Sequence, residues 1–477
     1  MDNRFFSSFA NFASQALAAP FPELARARAL DAITDCVGCI AAGRREPLAD
    51  KLLRALPNHK FEARNEGMAV MACTDRMALP GDSALFNGAL AHALDFDDSS
   101  HPAYAHASAV LVPTILAASS VAQFSGADAI AAYIVGLEMF GKLACGLNNR
   151  HYENGWHTTS TLGSIAAAAT AATLLRLPKV QIEGALNLAT TFSSGLRVHF
   201  GTDTKPLHAG MAARNGLLAV TLAREDFSCS ESALEHQYGF ASVFNWGSGH
   251  FNLEAMGQPG IELEILTDYG VSLKAFPSCG ATHPGIEAAT KLHQWLAGRK
   301  VKSVRLGVPE LSFRPLIHHF PKTPLQGKFS LEFCIAAALL DGHVRIDTFT
   351  QERVSSLEIV ELISRTKMEA DDRVRNDPEW ATAVEVETES GEIREEIVHL
   401  AVGKVGRWFS EGDLRTKFMD CAARSLPGAQ GEALYSTLRS LPTLACAQRL
   451  SEGLLLTPLV ARVGVLRDNE LVDAVRQ

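Results

Sequence analysis

Between Thr158 and Leu175 the chain carries no charged residue, and most positions are Ala, Thr, Ser or Leu. A run of that length has to leave water. A bilayer would demand Leu, Ile, Val or Phe at most positions, and Ala, Thr and Ser supply too little transfer energy. The remaining solution is a helix buried inside a large helical domain, where runs such as Ala166 to Ala169 let backbones approach closely. The stretch from Ala103 to Ala127 reads the same way, since His106, Pro113, Gln123 and several serines interrupt it. The composition can support such a core: 47% of the residues are hydrophobic and 20% charged, which argues against disorder. At roughly 100–200 residues per domain, a chain of 477 residues holds two to four.

Other segments repeat the helical pattern. Pro22 can open a helix because a first-turn residue needs no donor N–H. Leu24, Ala27, Leu30, Ile33, Val37 and Ile40 then follow at helical spacing, and Gly43 can close it. Gly81–Leu94, Gln181–Leu188 and Gly210–Leu222 behave alike, and strand signals are nearly absent before about residue 265. The character then changes. Val304, Leu306 and Val308 alternate with Ser303, Arg305 and Gly307, the pattern of a half-buried strand. Val384, Val386 and Thr388 run into Ser390-Gly391 and return through Ile393, Glu395 and Ile397, which predicts a hairpin. Helix patterns cover Pro284–Leu296, Lys328–Leu340 (ended by Gly342) and Gln351–Ile363, and helical character resumes from Ser410 through Leu454. The expected fold class is mainly α with α+β. A large helical domain (1–269) is completed by C-terminal helices (406–477), and a smaller α+β lid domain (270–405) is inserted before them.

Lys plus Arg total 44 and Asp plus Glu 53, a net charge of −9. That argues against a protein that binds nucleic acid or an anionic membrane, both of which need a basic surface, although a local pocket for a small anion stays open. Nine cysteines scattered along the chain suit a reducing compartment better than a disulfide framework. Near the N-terminus, Ser7, Ser8, Asn11, Ser14 and Gln15 break up Phe5, Phe6, Phe9 and Phe12. The start is not basic, so no signal peptide and a cytoplasmic location are expected. Cys36 and Cys39 fall in a helix pattern and are expected in the core. No Gly-rich dinucleotide turn occurs, so nicotinamide and flavin are not indicated.

Several polar clusters need another explanation. Asp95-Phe96-Asp97-Asp98-Ser99 follows a helix pattern. As a calcium loop it has Ser100 where Gly is required and His106 where Glu is required. As an aspartyl-nucleophile loop it lacks the preceding strand. A solvated acidic helix end is the simplest alternative, but carboxylates there face an unfavourable dipole, and His101 and His106 follow. Gly155-Trp156-His157-Thr158-Thr159-Ser160 puts a histidine just before a helix start, which suits an anionic ligand. Lys205 and His208 likewise precede a helix and could clamp a carboxylate. Lys274, Cys279 and His283 lie within ten residues. One Cys and one His are too few for zinc; a thiol pair of Cys279 with His283 is conceivable, with a passive neighbour favoured. Gln326-Gly327-Lys328 lacks the upstream Gly of a phosphate loop, and His318-His319 is expected in a solvated loop. These clusters are rich in His and Lys and poor in metal ligands. They can bind carboxylates and move protons without a cofactor, histidine being suited by its unperturbed pKa of about 6.5.

Taken together, these segments resemble the MmgE/PrpD family. The carrying residues are Asn87-Gly88-Ala89 leading to His92-Ala93-Leu94-Asp95-Phe96-Asp97-Asp98, then His106-Ala107-Ser108 and Gly155 through Gly163. Thr204 through Gly210, Lys274 through Cys279, Gly327-Lys328-Phe329-Ser330 and Leu340-Asp341-Gly342 follow in order. The resemblance implies a helical domain, an α+β lid domain, a homodimer, and a site between the domains without metal or cofactor. By it, Asp95, Ser99, His106, His157, Lys205 and Lys274 match active-site positions, and His208, Cys279 and His283 join as substrate-binding candidates. Members include 2-methylcitrate dehydratase, cis-aconitate decarboxylase and iminodisuccinate epimerase. The sequence departs from the decarboxylase pattern. Ser99 replaces a Thr, Cys279 an active-site His and Phe313 a Tyr; the Asp95-to-His106 spacing is one residue longer, and Ala follows His106 where Pro is usual. Dehydration of a small hydroxy di- or tricarboxylate is therefore the leading expectation. Lys205 and Lys274 would hold carboxylates, His106 or His157 would take the α-proton, and Asp95 would orient a histidine. Epimerisation of a dicarboxylate, decarboxylation of cis-aconitate and non-catalytic anion binding are the alternatives.

Overall fold

The structure, a computed structural model, describes residues 4–62, 67–100, 104–246, 251–268, 270–377 and 379–456; His101 lies outside them. Its contacts fall into two compact units. One comprises Met1–Ala93, Ser100–Gly270 and Leu414–Gln477, and the other Leu94–Ser99 and Val271–Asp413. The architecture is mainly α with a smaller α+β part, as the hydrophobic periodicities predict.

The first unit is helical: α1 (Phe5–Gln15), α2 (Glu23–Gly43), α3 (Pro47–Ala55), α4 (Pro80–His92), α5 (Ser108–Ala118), α6 (Gly126–Glu153), α7 (Thr158–Leu174), α8 (Lys179–Thr191) and α9 (Thr204–Arg224). Local chemistry sets the starts. Pro22 immediately precedes α2, Pro80 opens α4, and Ser125 with Asp128 forms a capping box on α6. Every residue of α5 and α7 is buried, so the Thr158–Leu174 run and the Ser108–Ala118 part of the other lie inside the protein, while Val121, Gln123 and Ala127 at the end of the latter are exposed. A third stretch, Gly126–Leu147 of α6, is long and apolar enough to cross a membrane, and most of it is buried within the protein. α1 turns Phe5, Phe6 and Phe9 into the core, which explains the aromatic spacing at the N-terminus.

Small residues sit where backbones touch. A Cβ on Gly210 of α9 would lie 2.0 Å from the Leu85 carbonyl oxygen of α4, and one on Gly88 would lie 2.7 Å from the Gly210 Cα. Gly43 does more than end α2: a Cβ there would lie 2.0 Å from the Leu90 oxygen. The C-terminal helices rejoin this unit through a buried ion pair, Lys417 to Asp35 at 2.6 Å. Backbone bonds from Cys73 N to Leu454 O (2.7 Å) and from Leu456 N to Thr74 O (2.8 Å) add to it. Cys36 and Cys39 are buried in α2. One feature departs from expectation: β1 (His59–Lys60), β2 (Ala69–Met71) and β3 (Arg76–Ala78) form a small antiparallel sheet in the order β1-β3-β2. Strands of two or three residues are too short to display alternation.

The second unit contains the expected strand and hairpin as β4 (Val301–Val308), β6 (Thr382–Thr388) and β7 (Ile393–Val398). It adds β5 (Thr366–Ala370), which pairs parallel to β4 at the edge of the order β5-β4-β6-β7. The burial along β5 is mixed, so its sequence shows no clean period. Helices His283–Leu296 and Leu331–Asp341 supply Ile286, Leu292, Phe333 and Ile335 to a core with Leu306, Val308, Val384 and Val386 of the sheet. Gly342 (φ 73°) caps the second helix and Gly391 (φ 87°) makes the hairpin turn. The expected helix 351–363 is divided into Gln351–Val354 and Leu357–Ser364.

Two outcomes follow from this packing. Gly210→Ala forces an α4 carbonyl to move, and should lower unfolding stability by about 1–3 kcal/mol in denaturant titration. Separately, burial pushes His151 down from 6.5 to about 4. Between those values the unfolded chain binds a proton that the folded one does not, so stability falls as the pH drops from 6.5 towards 4. His151→Gln, keeping a partner for Thr161 (2.7 Å from Nε2), should flatten that part of a melting-temperature-versus-pH curve; an unchanged slope would refute this assignment.

Candidate active site

In the helical unit, three helix ends converge. His92 is the last residue of α4, His157 is the residue before α7, and Lys205 and His208 lie in the first two turns of α9. All four are buried, and His106 is half-buried. The His92 and His106 rings are 4.2 Å apart, those of His92 and His157 6.1 Å, and those of His157 and His208 5.2 Å. His157 and His208 meet through Nδ1 and Nδ1 at 3.0 Å.

The surrounding backbone holds this group in place. Gly155–Arg197 is tied by Arg197 N to Gly155 O (2.9 Å) and His157 N to Gly195 O (3.0 Å). Gly195 has φ 116°, and a Cβ there would lie 2.7 Å from that of Ser160. Thr158 Oγ1 donates to Tyr104 O (2.9 Å), and His106 N donates to Thr159 Oγ1 (3.1 Å). The first turn of α7 therefore positions the segment carrying His106. Among these groups, only Lys205 is a permanent cation. It sits at the positive end of α9, where a lysine is unfavourable on dipole grounds, with its Nζ 5.3 Å from the centre of the Phe200 ring. An anion at this point would relieve both effects.

Burial pushes His157 well below its ordinary value, reinforced by His92, Lys205, His208 and His106. Burial, with a smaller contribution from His199, lowers His208 to about 4. Both rings are therefore neutral at pH 7, and each has one nitrogen able to accept a proton.

The remaining expected residues belong to the second unit. Asp95, Asp97 and Asp98 are all buried, which rules out a solvated acidic helix end. Asp95 adopts φ 55°, a left-handed conformation uncommon outside glycine. Its Oδ2 pairs with Lys274 Nζ at 3.1 Å, and that ammonium also donates to the Asp95 carbonyl at 2.8 Å. Ser99 exchanges backbone hydrogen bonds with Ser272 at 2.8 Å each way, bringing Asp95 and Lys274 together. Lys328 is buried and donates to the Leu94 carbonyl. Cys279 is half-buried, and its N–H donates to Lys328 O at 2.9 Å. His283 is buried with Nε2 at 3.3 Å from Ser278 O.

Thus His106, His157, Lys205 and His208 group together; in the other unit Asp95, Ser99 and Lys274 do so, Cys279 is tied to Lys328, and His283 meets Ser278. His92 and Lys328 lie inside motifs quoted from sequence, yet their spacing gave no reason to select them. Thr159 reads from sequence only as a helix residue. His319 lies in an exposed loop, as expected, with its Nδ1 2.6 Å from Glu332 Oε1. A separate cleft of about 560 Å³, lined by Phe12, Pro20, Phe21 and Ile261 among others, contains no histidine or lysine.

Residues 7–250 match the MmgE/PrpD N-terminal domain and residues 276–441 the MmgE/PrpD C-terminal domain. Cis-aconitate decarboxylase of Mus musculus is 26% identical over 403 residues, covering 81% of this chain and 80% of that protein. Cis-aconitate decarboxylase of Aspergillus terreus is 26% identical over 442 residues, covering 87% and 84%. A cis-aconitate decarboxylase-like protein of Aspergillus oryzae is 25% identical over 452 residues, covering 89% and 91%. With both domain matches in order along the sequence, the chain belongs to the MmgE/PrpD family.

Proposed function

We propose that this protein is a lyase that acts on a small di- or tricarboxylate by moving a proton at a carbon next to a carboxylate. The observation that carries the reading is a buried, neutral His157 grouped with buried Lys205 where α7 and α9 begin. A carbanion beside a carboxylate places charge on the carboxylate oxygens. A fixed ammonium and helix N–H groups in a desolvated setting stabilise that charge. Neutral imidazole is the form able to take the proton, and general acid–base help of this kind contributes about 10²–10⁴-fold. Lys205 is assigned to one carboxylate. His106 is assigned to proton return.

Dehydration of a hydroxy acid is the finer reading, favoured by Cys279 standing where the decarboxylase pattern has a histidine. Decarboxylation of an unsaturated tricarboxylate is the second, favoured by the activity named for the relatives. At this level of identity a shared fold does not transfer the reaction. A cytoplasmic homodimer acting without a metal completes the proposal.

Proton NMR in D₂O with citrate, 2-methylcitrate, cis-aconitate and iminodisuccinate, with and without EDTA, tests it. Loss of an α- or vinyl-proton signal with formation of an alkene or of CO₂ is expected, and EDTA should leave the rate unchanged. The product decides between the two lyase readings. Epimerisation without elimination, or no reaction with any of these acids, would overturn the lyase assignment. In a turning-over enzyme, His157→Gln should lower kcat by about 10²-fold or more. Lys205→Met should raise KM as well. Normal turnover by folded variants would remove both residues from the mechanism.

A further inference from the structure

The contact between His157 and His208 has a consequence beyond positioning. Nδ1 lies against Nδ1 at 3.0 Å, and two nitrogens can share a hydrogen bond only if one carries a proton and the other does not. With both rings neutral, the pair therefore holds complementary tautomers: one Nδ1–H with a bare Nε2, and one bare Nδ1 with Nε2–H. Moving the shared proton across the contact exchanges the two tautomers when the donor ring gains a proton at its bare Nε2 and the acceptor ring loses the one on its Nε2, so that neither ring ends charged.

His157 is the member that needs such an exchange. It is 1% exposed, near Lys205 and among His92, His106 and His208. An imidazolium there would be desolvated beside a fixed cation. His208 leads outward. It is 8% exposed, and its ring lies 5.9 Å from that of His199, an exposed residue in the turn Arg197–His199.

We propose that His157 and His208 form a proton relay in which His208 takes the Nδ1 proton of His157 while His157 accepts the substrate proton at Nε2. His208 then releases its own Nε2 proton to His199 or to solvent. The balance closes: the substrate C–H loses a proton, each ring gains one and loses one, and one proton leaves the protein. Elimination or protonation in the reverse direction uses the same path backwards. His208 would then be a residue that acts through His157, instead of a carboxylate ligand as expected from sequence. This inference rests on the reading of His157 as the proton acceptor.

Two measurements test it. Long-range ¹H–¹⁵N correlation on the full-length protein labelled at histidine should show, at pH 7, His157 as Nδ1–H and His208 as Nε2–H. His157→Gln and His208→Gln supply the assignments. The opposite pairing, two Nε2–H rings, or an imidazolium at either position, would overturn the relay whether or not a substrate is known. With an acid that turns over, His208→Gln should lower kcat by about 10²-fold while KM hardly moves. The loss should be partly restored by imidazole, and His199→Gln should make the rate depend on buffer concentration. A raised KM with kcat intact would return His208 to substrate binding, and rates insensitive to imidazole and buffer in both variants would overturn the relay. If the wild-type protein moves no proton on any acid, the lyase proposal fails while the tautomer measurement still decides the pair.

Discussion

Direct backbone contact between α4 and α9 is the constraint on which the helical unit depends. Gly88 and Gly210 leave no room for a Cβ at the crossing, and a Cβ on Gly216 would lie 2.4 Å from that of Ala167 in α7. Interiors packed to crystalline density transmit such contacts as fixed distances. Because the helices are locked at their crossings, their ends are locked too. His92, His157, Lys205 and His208 all stand at helix ends. The small-residue composition that first appears to be a bland feature of the core is thus what gives the polar cluster its geometry.

The electrostatics follow from that placement. Neutral histidines tolerate burial, and burial keeps them neutral by penalising the charged form. A lysine at a helix start gains nothing from the dipole, so the position of Lys205 is not one that helix electrostatics favours. In the second unit the solution differs. Lys274 is buried with its counter-ion, Asp95, and receives a backbone carbonyl as well. That cation is thereby held in a fixed geometry with its charge offset.

Different parts of the structure were unequally legible. The long helices could be read because apolar positions recur at helical spacing, and the hairpin because Val384 and Val386 alternate with glutamates. β5 and the sheet of β1–β3 could not: an edge strand of mixed burial and strands of two or three residues carry no period. The three aspartates after α4 could be noticed as odd, but their complete burial depends on contacts of the folded unit. Family resemblance named His106, His157, Lys205 and Lys274 as site positions. Spacing alone did not distinguish them from ordinary polar loop residues.

By itself the sequence determined the class of fold, the order of its elements and the residue types available for chemistry, because periodicity, breakers and small-residue runs act locally along the chain. Only the tertiary structure decided which polar side chains share a microenvironment. The pairing of His157 with His208 joins positions 51 residues apart, and that of Asp95 with Lys274 joins the short segment after α4 to a loop 179 residues later. No local pattern encodes such distances. They arise when helices close on glycines and strands find their partners, and the tautomers and charges of the buried groups are set only then.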